Sequence, residues 1–208
     1  MHQIAARSGV SQQMMSELEI RRRIFHLIGG LLIALLIYLD VLNASIALIV
    51  FVAALFFGLI MKKVKIPLLR WVFEKIDRPK DYKKLPGKGL IFFMLGVFIV
   101  LAFFDKDVAI AGVLILAVGD SIAAIIGQYG EIPNPFDKKK YIEGSIGGAI
   151  VAGLAAALIV SPVEAALASA AAMIAEGAGL RAGRNQIDDN IIMPIIAGLT
   201  IWILRTAL

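Results

Sequence analysis

VAIAGVLILAVGDSIAAIIG, residues 108–127, is twenty residues long and carries a single charge, Asp120. A helix of about that length crosses the hydrocarbon core of a bilayer. Similar runs flank it at 24–39, 44–61, 89–104, 145–160, 163–180 and 191–204. The chain therefore reads as an all-α polytopic membrane protein with about seven transmembrane helices. Its 208 residues are 60% hydrophobic and 18% charged, with a mean hydropathy of +0.86. A soluble domain is nearer half apolar and a quarter charged, so a conventional soluble enzyme and a disordered chain are both excluded. With zero cysteines there is no disulfide scaffold and no thiolate metal site, and two histidines make a histidine-rich site implausible.

Charge sets the orientation. With the N-terminus in the cytoplasm, 19 of the 21 Lys and Arg residues fall on the inner side and only Lys106 and Arg205 on the outer. That asymmetry is the positive-inside pattern. The net charge of +5 is thus placed for topology, and no nucleic acid is expected as a partner. The outer connections 40–43, 105–107 and 161–162 are minimal, so chemistry is expected on the cytoplasmic face. The first span follows Arg21, Arg22 and Arg23, but no convincing cleavage site comes after it; Asn43-Ala44-Ser45 is a poor match, so it reads as a retained helix.

Residues 1–20 form a polar segment, partly disordered or helical, within which Met14 or Met15 could also start the chain. Ser16 and Glu19 have the spacing of a capping box. Residues 21–208 read as one transmembrane catalytic domain with cytoplasmic loops 62–88, 128–144 and 181–190. In the first loop Leu68, Leu69, Val72, Phe73 and Ile76 share a helical face opposite Arg70, Glu74, Lys75 and Asp77, and Trp71 joins them. This predicts an interfacial amphipathic helix on the inner leaflet.

Carboxylates against hydrocarbon cost about 2.5–3.5 kcal/mol each at a span centre and need a reason. Asp120 is followed by Ala123, Ala124 and Gly127, and Glu176 has Ala172, Gly179 and Gly183 around it. Small neighbours permit close helix packing, or leave room for a ligand. A carboxylate bonded between helices for structure alone is the plainer explanation of each, but two such sites share one membrane side. Glu143 opens the fifth span and suits its helix dipole. Gly144, Gly148 and Ala152 form a packing face better explained by architecture than by ligand binding. Asp188-Asp189-Asn190 opens the seventh span, where an N-cap needs one such residue rather than three. Pro194 loosens the start of that helix.

Pro86-Gly87-Lys88-Gly89 precedes the third span. Its glycines allow close backbone approach to an anion and Lys88 can meet a phosphate oxygen, although a lysine–glycine turn before a span is common. His26 lies one turn inside the first span, where a lone histidine is ordinarily a packing residue. Together Asp120, Glu143, Glu176, Asp188 and Asp189 gather near one face with several cations. Crowded carboxylates repel unless a hard cation sits among them, which makes Mg2+ the natural candidate, with Asp120, Glu143, Asp188 and Asp189 as expected ligands. A divalent metal with lysines and arginines around a phosphate chain suits phosphoryl or nucleotidyl transfer.

The ordered motifs RRRIFHLIGG (21–30), PGKG (86–89), GDSIAAIIGQYG (119–130), KKKYIEGSIGG (138–148) and the stretch from Glu176 to DDNIIMP (176–194) resemble the dolichol kinase/phytol kinase family of CTP-dependent lipid-alcohol kinases. The likeness extends to yeast-type CTP-dependent diacylglycerol kinase. It covers nearly all of 21–194. It implies transfer of the γ-phosphoryl of CTP, with a divalent cation, to a long-chain isoprenoid alcohol. The family's Arg-Lys-x-x-His pattern falls on Arg22, Arg23 and His26, with Arg23 where a lysine is usual. Its Gly-Asp-x-x-Ala falls on Gly119, Asp120 and Ala123. Its Lys…Glu-Gly-Ser falls on one of Lys138, Lys139 and Lys140, then Glu143, Gly144 and Ser145. Its Asp-Asn…Pro falls on Asp189, Asn190 and Pro194. The length suggests a compact prokaryotic or archaeal form.

On this basis Asp120, His26, Glu143 and Asp189 are the expected catalytic residues. Arg22, Arg23, Gly87, Lys88, Gly89, Gly119, Lys138, Lys139, Lys140, Gly144, Ser145, Glu176 and Asn190 are expected to bind substrate. CTP, a membrane lipid alcohol and the bilayer are the expected partners, and a homodimer stays open. Three other readings compete: a cytidylyltransferase making a CDP-lipid, an ion-coupled transporter, and a structural membrane scaffold.

Overall fold

A computed structural model describes residues 16–64, 66–182 and 185–207. Most of the polar N-terminal segment, with Arg7, Met14 and Met15, lies outside the described residues, as do Lys65, Gly183 and Arg184. Nine helices form among the described residues. Seven are long: α1 (Glu17–Tyr38), α2 (Ala44–Ile60), α5 (Lys88–Phe103), α6 (Lys106–Gly127), α7 (Ile142–Ala156), α8 (Pro162–Ala178) and α9 (Asp189–Ala207). They match the seven apolar runs within a few residues at most ends. Between α2 and α5 lie the short α3 (Pro67–Ile76) and α4 (Pro79–Lys84). A two-residue antiparallel ladder, β1 (Arg181–Ala182) with β2 (Asn185–Gln186), joins α8 to α9. Two of the helices, α6 and α9, are long and apolar enough by themselves to cross a membrane.

Local chemistry sets the ends. Ser16 accepts from the Glu19 N–H at 3.3 Å, and Asn43 caps α2 through the Ile46 N–H at 3.1 Å. At the start of α8, Ser161 and Glu164 complete a full capping box with Pro162 in the first turn. Gly179 ends α8 at φ 57°, a left-handed conformation that glycine adopts without steric cost.

α6 is the central post. It is buried along nearly its whole length and packs against α1, α5, α7, α8 and α9, while α2 leans on α5. Close approach is what the small residues provide. A Cβ on Gly148 would come within 2.8 Å of the Gly119 carbonyl oxygen, and one on Gly144 within 2.5 Å of that of Ala123. The glycine stripe of α7 thus lets it lie directly on the α6 backbone. The outer faces of the ring of helices are apolar and exposed, with Phe25, Ile28, Ile49, Phe56, Leu154, Ile174 and Trp202 all pointing away from the core. On α3, Phe73 is buried while Leu68 and Trp71 remain exposed.

Candidate active site

Three carboxylates from three helices converge at the end of the bundle where α1, α5, α7 and α9 begin. Asp120 comes from the last turns of α6, Glu176 from the last turn of α8, and Asp189 from the first turn of α9. One oxygen of each lies within 4.8 Å of the others. They form the one group of three metal-capable side chains found among the described residues. All donors are oxygen and two of the three side chains are largely enclosed, so the set suits a hard cation such as Mg2+.

Two cations already interleave with these acids. Arg23, on the second turn of α1, donates to the Asp120 carboxylate and, at 3.3 Å, to its backbone carbonyl. Lys140, on the loop before α7, reaches Glu176 Oε1 at 2.5 Å, the Glu176 carbonyl at 2.8 Å and Asp189 Oδ2 at 3.3 Å. Burial pulls the Lys140 ammonium down, but the Glu176 and Asp189 carboxylates outweigh it and hold the group above its ordinary value. Lys140 is therefore the member of the 138–140 run that enters the cluster; Lys138 and Lys139 are exposed.

His26 sits one turn along α1 from Arg23. Its Nε2 lies 3.8 Å from Asp120 Oδ2, and the ring packs edge-on against Phe93 at 5.3 Å. The imidazole also hydrogen-bonds the Leu116 backbone. His26 Nε2 and Arg23 Nε are the buried side-chain polar atoms without a hydrogen-bond partner among the described residues. An orphaned ring nitrogen beside a carboxylate is the kind of group that a ligand satisfies.

A second tier borders the cluster. Lys88 Nζ lies 3.2 Å from Asp188 Oδ2. Asp188 Oδ1 accepts from the Asn190 backbone N–H at 3.3 Å, and so caps α9, and from the Asn190 side-chain amide at 2.8 Å, while Asp189 turns inward. Gly87 has φ 75°, and its nitrogen donates to Asp77 Oδ2 at 2.7 Å. Gly89 opens α5 with free space where a Cβ would be. Gly119 and Gly144 work as packing positions. Ser145 lies near Gly177 of α8.

Some expected residues stand elsewhere. Arg22 pairs with Glu19 at 2.7 Å. Glu143 accepts from the backbone N–H groups of Glu131 and Ile132, at 2.8 and 3.0 Å. It fastens the 131–141 loop, which closes through a bridge between Pro133 and Tyr141, and is not one of the three gathered acids. Sequence reasoning passed over Glu19, Asp77 and Asn134. Glu19 looked like half of a capping box, yet its carboxylate holds Arg22 and, at 2.7 Å, Arg78 from the distant loop. Asn134 is buried in the loop before α7 and lies close against Gly177.

Comparison with known proteins gives two relatives. The chain is 31% identical to the uncharacterized protein MJ1137 of Methanocaldococcus jannaschii over 185 residues, 88% of this chain and 92% of that protein. It is 32% identical over 91 residues to CTP-dependent diacylglycerol kinase 1 of Schizosaccharomyces pombe, covering 42% of this chain and 41% of the kinase. No protein-family model and no solved structure matches the chain.

Proposed function

The chain belongs to the family of the Methanocaldococcus jannaschii protein MJ1137, and from that premise we propose that it is a CTP-dependent lipid kinase of the membrane. Its acceptor is a long-chain isoprenoid alcohol of the dolichol or polyprenol type, and its site faces the cytoplasm. The observation that carries the proposal is the convergence of Asp120, Glu176 and Asp189 with Arg23 and Lys140 at one end of an apolar bundle. The partial likeness to a CTP-dependent diacylglycerol kinase supports the nucleotide and the lipid class. Exposed apolar side chains around the helices support seven spans, and the Lys/Arg distribution supports the orientation.

Asp120, Glu176 and Asp189 would hold the metal. When bound there, Mg2+ would supply charge neutralisation for a triphosphate. Lys140 and Arg23 are placed to exchange their carboxylate partners for phosphate oxygens, and Lys88 to meet the same chain from α5. The hydroxyl oxygen forms the new bond to the γ-phosphorus as the bond to the β–γ bridging oxygen breaks, and CDP leaves. Such loose transition states ask mainly for positioning and charge neutralisation. The hydroxyl proton passes late to Asp120, or to His26, whose Nε2 stands without a partner. The tail lies in the bilayer, so the acceptor need not leave the membrane.

Purified protein incubated with Mg2+, each nucleoside triphosphate and a panel of polyprenol, phytol, geranylgeraniol and diacylglycerol, and in parallel with the corresponding lipid phosphates, tests this. Lipid phosphate and CDP formed from CTP with an isoprenoid alcohol are expected. Pyrophosphate and a CDP-lipid formed from a lipid phosphate would establish the cytidylyltransferase instead.

A further inference from the structure

Two adjacent residues of the cytoplasmic 62–88 loop have their side chains committed in different directions. Asp77, which ends α3, is buried, and its Oδ2 accepts from the Gly87 N–H at 2.7 Å. Arg78 reaches Glu19 on α1 at 2.7 Å through Nη2 and at 3.2 Å through Nε. Glu19 in turn holds Arg22 at 2.7 Å and stands 3.7 Å from Arg23. Gly87 is the residue directly before Lys88. A side chain there is excluded twice over: φ is 75°, and a Cβ would press within 2.9 Å of the Phe73 ring. The turn that launches Lys88 is thus clamped between a buried carboxylate and a ring of α3. Beneath it, a Cβ on Gly58 of α2 would stand 2.7 Å from the Pro86 carbonyl oxygen.

We infer that Asp77 and Arg78 are a pair of positioning residues that fix the spacing between Lys88 on α5 and Arg23 on α1, and so set the width of the nucleotide-phosphate site. The inference rests on the proposed kinase activity for what the spacing serves, and on the hydrogen bonds alone for how it is held. Asp77 makes no ion pair among the described residues, and burial pushes its carboxyl above the ordinary range. What the clamp uses is the acceptor oxygen rather than the charge, so asparagine can hold the same Gly87 N–H while alanine cannot.

Two measurements on the full-length protein in detergent decide it. Hydrogen exchange of the 85–90 amides should accelerate about tenfold in Asp77→Ala and stay near wild type in Asp77→Asn. The KM for CTP should rise about fivefold in Asp77→Ala, with kcat changed less than about twofold, and return in Asp77→Asn. Arg78→Ala should raise the same KM while leaving that for the lipid alcohol unchanged. Unaltered exchange in Asp77→Ala overturns the clamp. Equal losses in the KM for CTP and for the lipid, or no rescue by asparagine, overturn the positioning role. A wild-type protein that turns over no nucleotide with any alcohol overturns the kinase proposal, and the nucleotide half of this inference with it; the exchange data still decide the clamp.

Discussion

The two ends of the bundle both carry acids and bases, and they use them in opposite ways. At the far end Lys106 pairs with Asp40 at 2.6 Å, and Arg205 bridges Asp107 and Glu164, each at 2.6 Å. Asp40 is 80% exposed and Lys106 44%. These pairs tie the α1–α2 turn to α6, and α9 to α6 and α8, in a setting where water shares the charge. At the near end Asp120 and Glu176 are only 16% and 7% exposed, and three carboxylates crowd together. Surface pairs of the first kind contribute little and cost little. Buried pairs of the second kind pay a desolvation penalty that structure alone does not require. Far-end Glu164 is as enclosed at 14%, but only the near end crowds three carboxylates together, and that crowding with burial is what supports placing the proposed chemistry there.

The sharpest way to break that contrast is Asp120→Asn. The amide keeps the shape and loses the charge that Arg23 answers, so turnover should fall by at least about a hundredfold, while detergent-extracted protein remains folded and helical by circular dichroism. Near-wild-type phosphorylation of the lipid alcohol would show that the cluster is architecture after all. Lys140→Ala comes next. It leaves Glu176 and Asp189 facing each other without their cation, and stability should drop by about 2–3 kcal/mol; the range for a fully buried pair is higher, and Lys140 is 23% exposed. Because the folded state raises the Lys140 pKa, its contribution is fully present below the ordinary lysine value and is lost as pH rises through the raised one. Thermal melts across alkaline pH should therefore converge for wild type and Lys140→Ala. Lys140→Arg should restore most of the neutral-pH stability.

Lys88→Ala has a smaller and more selective effect. It should raise the KM for CTP about three- to tenfold, with a much smaller change for the lipid. Steady-state kinetics varying each substrate in turn would read the split, and the reverse pattern would move Lys88 from the phosphate side of the site to the lipid side.

Much of this arrangement is legible in the chain because long apolar helices announce themselves by length and by the charges that bound them. The seven apolar runs correspond to seven helices within a few residues at most ends; Asp120 and Glu176 stand out as acids inside such runs, and Asp189 as one of three cap-forming residues where a helix start needs one. What could not be read was which of several neighbours turns inward. Lys138, Lys139 and Lys140 are equivalent in sequence, and only the turn closed by Glu143 and the Pro133–Tyr141 bridge aims Lys140 at Glu176. Asp188 and Asp189 are equally ambiguous until α9 begins and separates them by its helical rotation. Glu143 is expected in the site through the gathered acids and the Lys…Glu-Gly-Ser resemblance, but its carboxylate is answered by the Glu131 and Ile132 backbone N–H groups. Glu19 was credited with capping alone because its second partner, Arg78, lies fifty-nine residues away.

The smallest expected effect tests the far end. Arg205→Ala removes both of its ion pairs at once, yet the guanidinium is 35% exposed and Asp107 40%, and Glu164, the enclosed partner at 14%, keeps the Ser161 N–H at 2.8 Å. The cost should stay below about 1 kcal/mol. It should shrink further in high salt, because exposed pairs are screened within a Debye length of about 10 Å at 0.1 M. Turnover and the KM for CTP should not move. Thermal melts at low and high salt, read beside the kinetics, would check this. A loss as large as that of Lys140→Ala, or a fall in turnover, would mean that the far-end pairs are coupled to the site through α6, the one helix that carries both Asp107 and Asp120. The crowding of enclosed acids would then no longer be what separates the two ends.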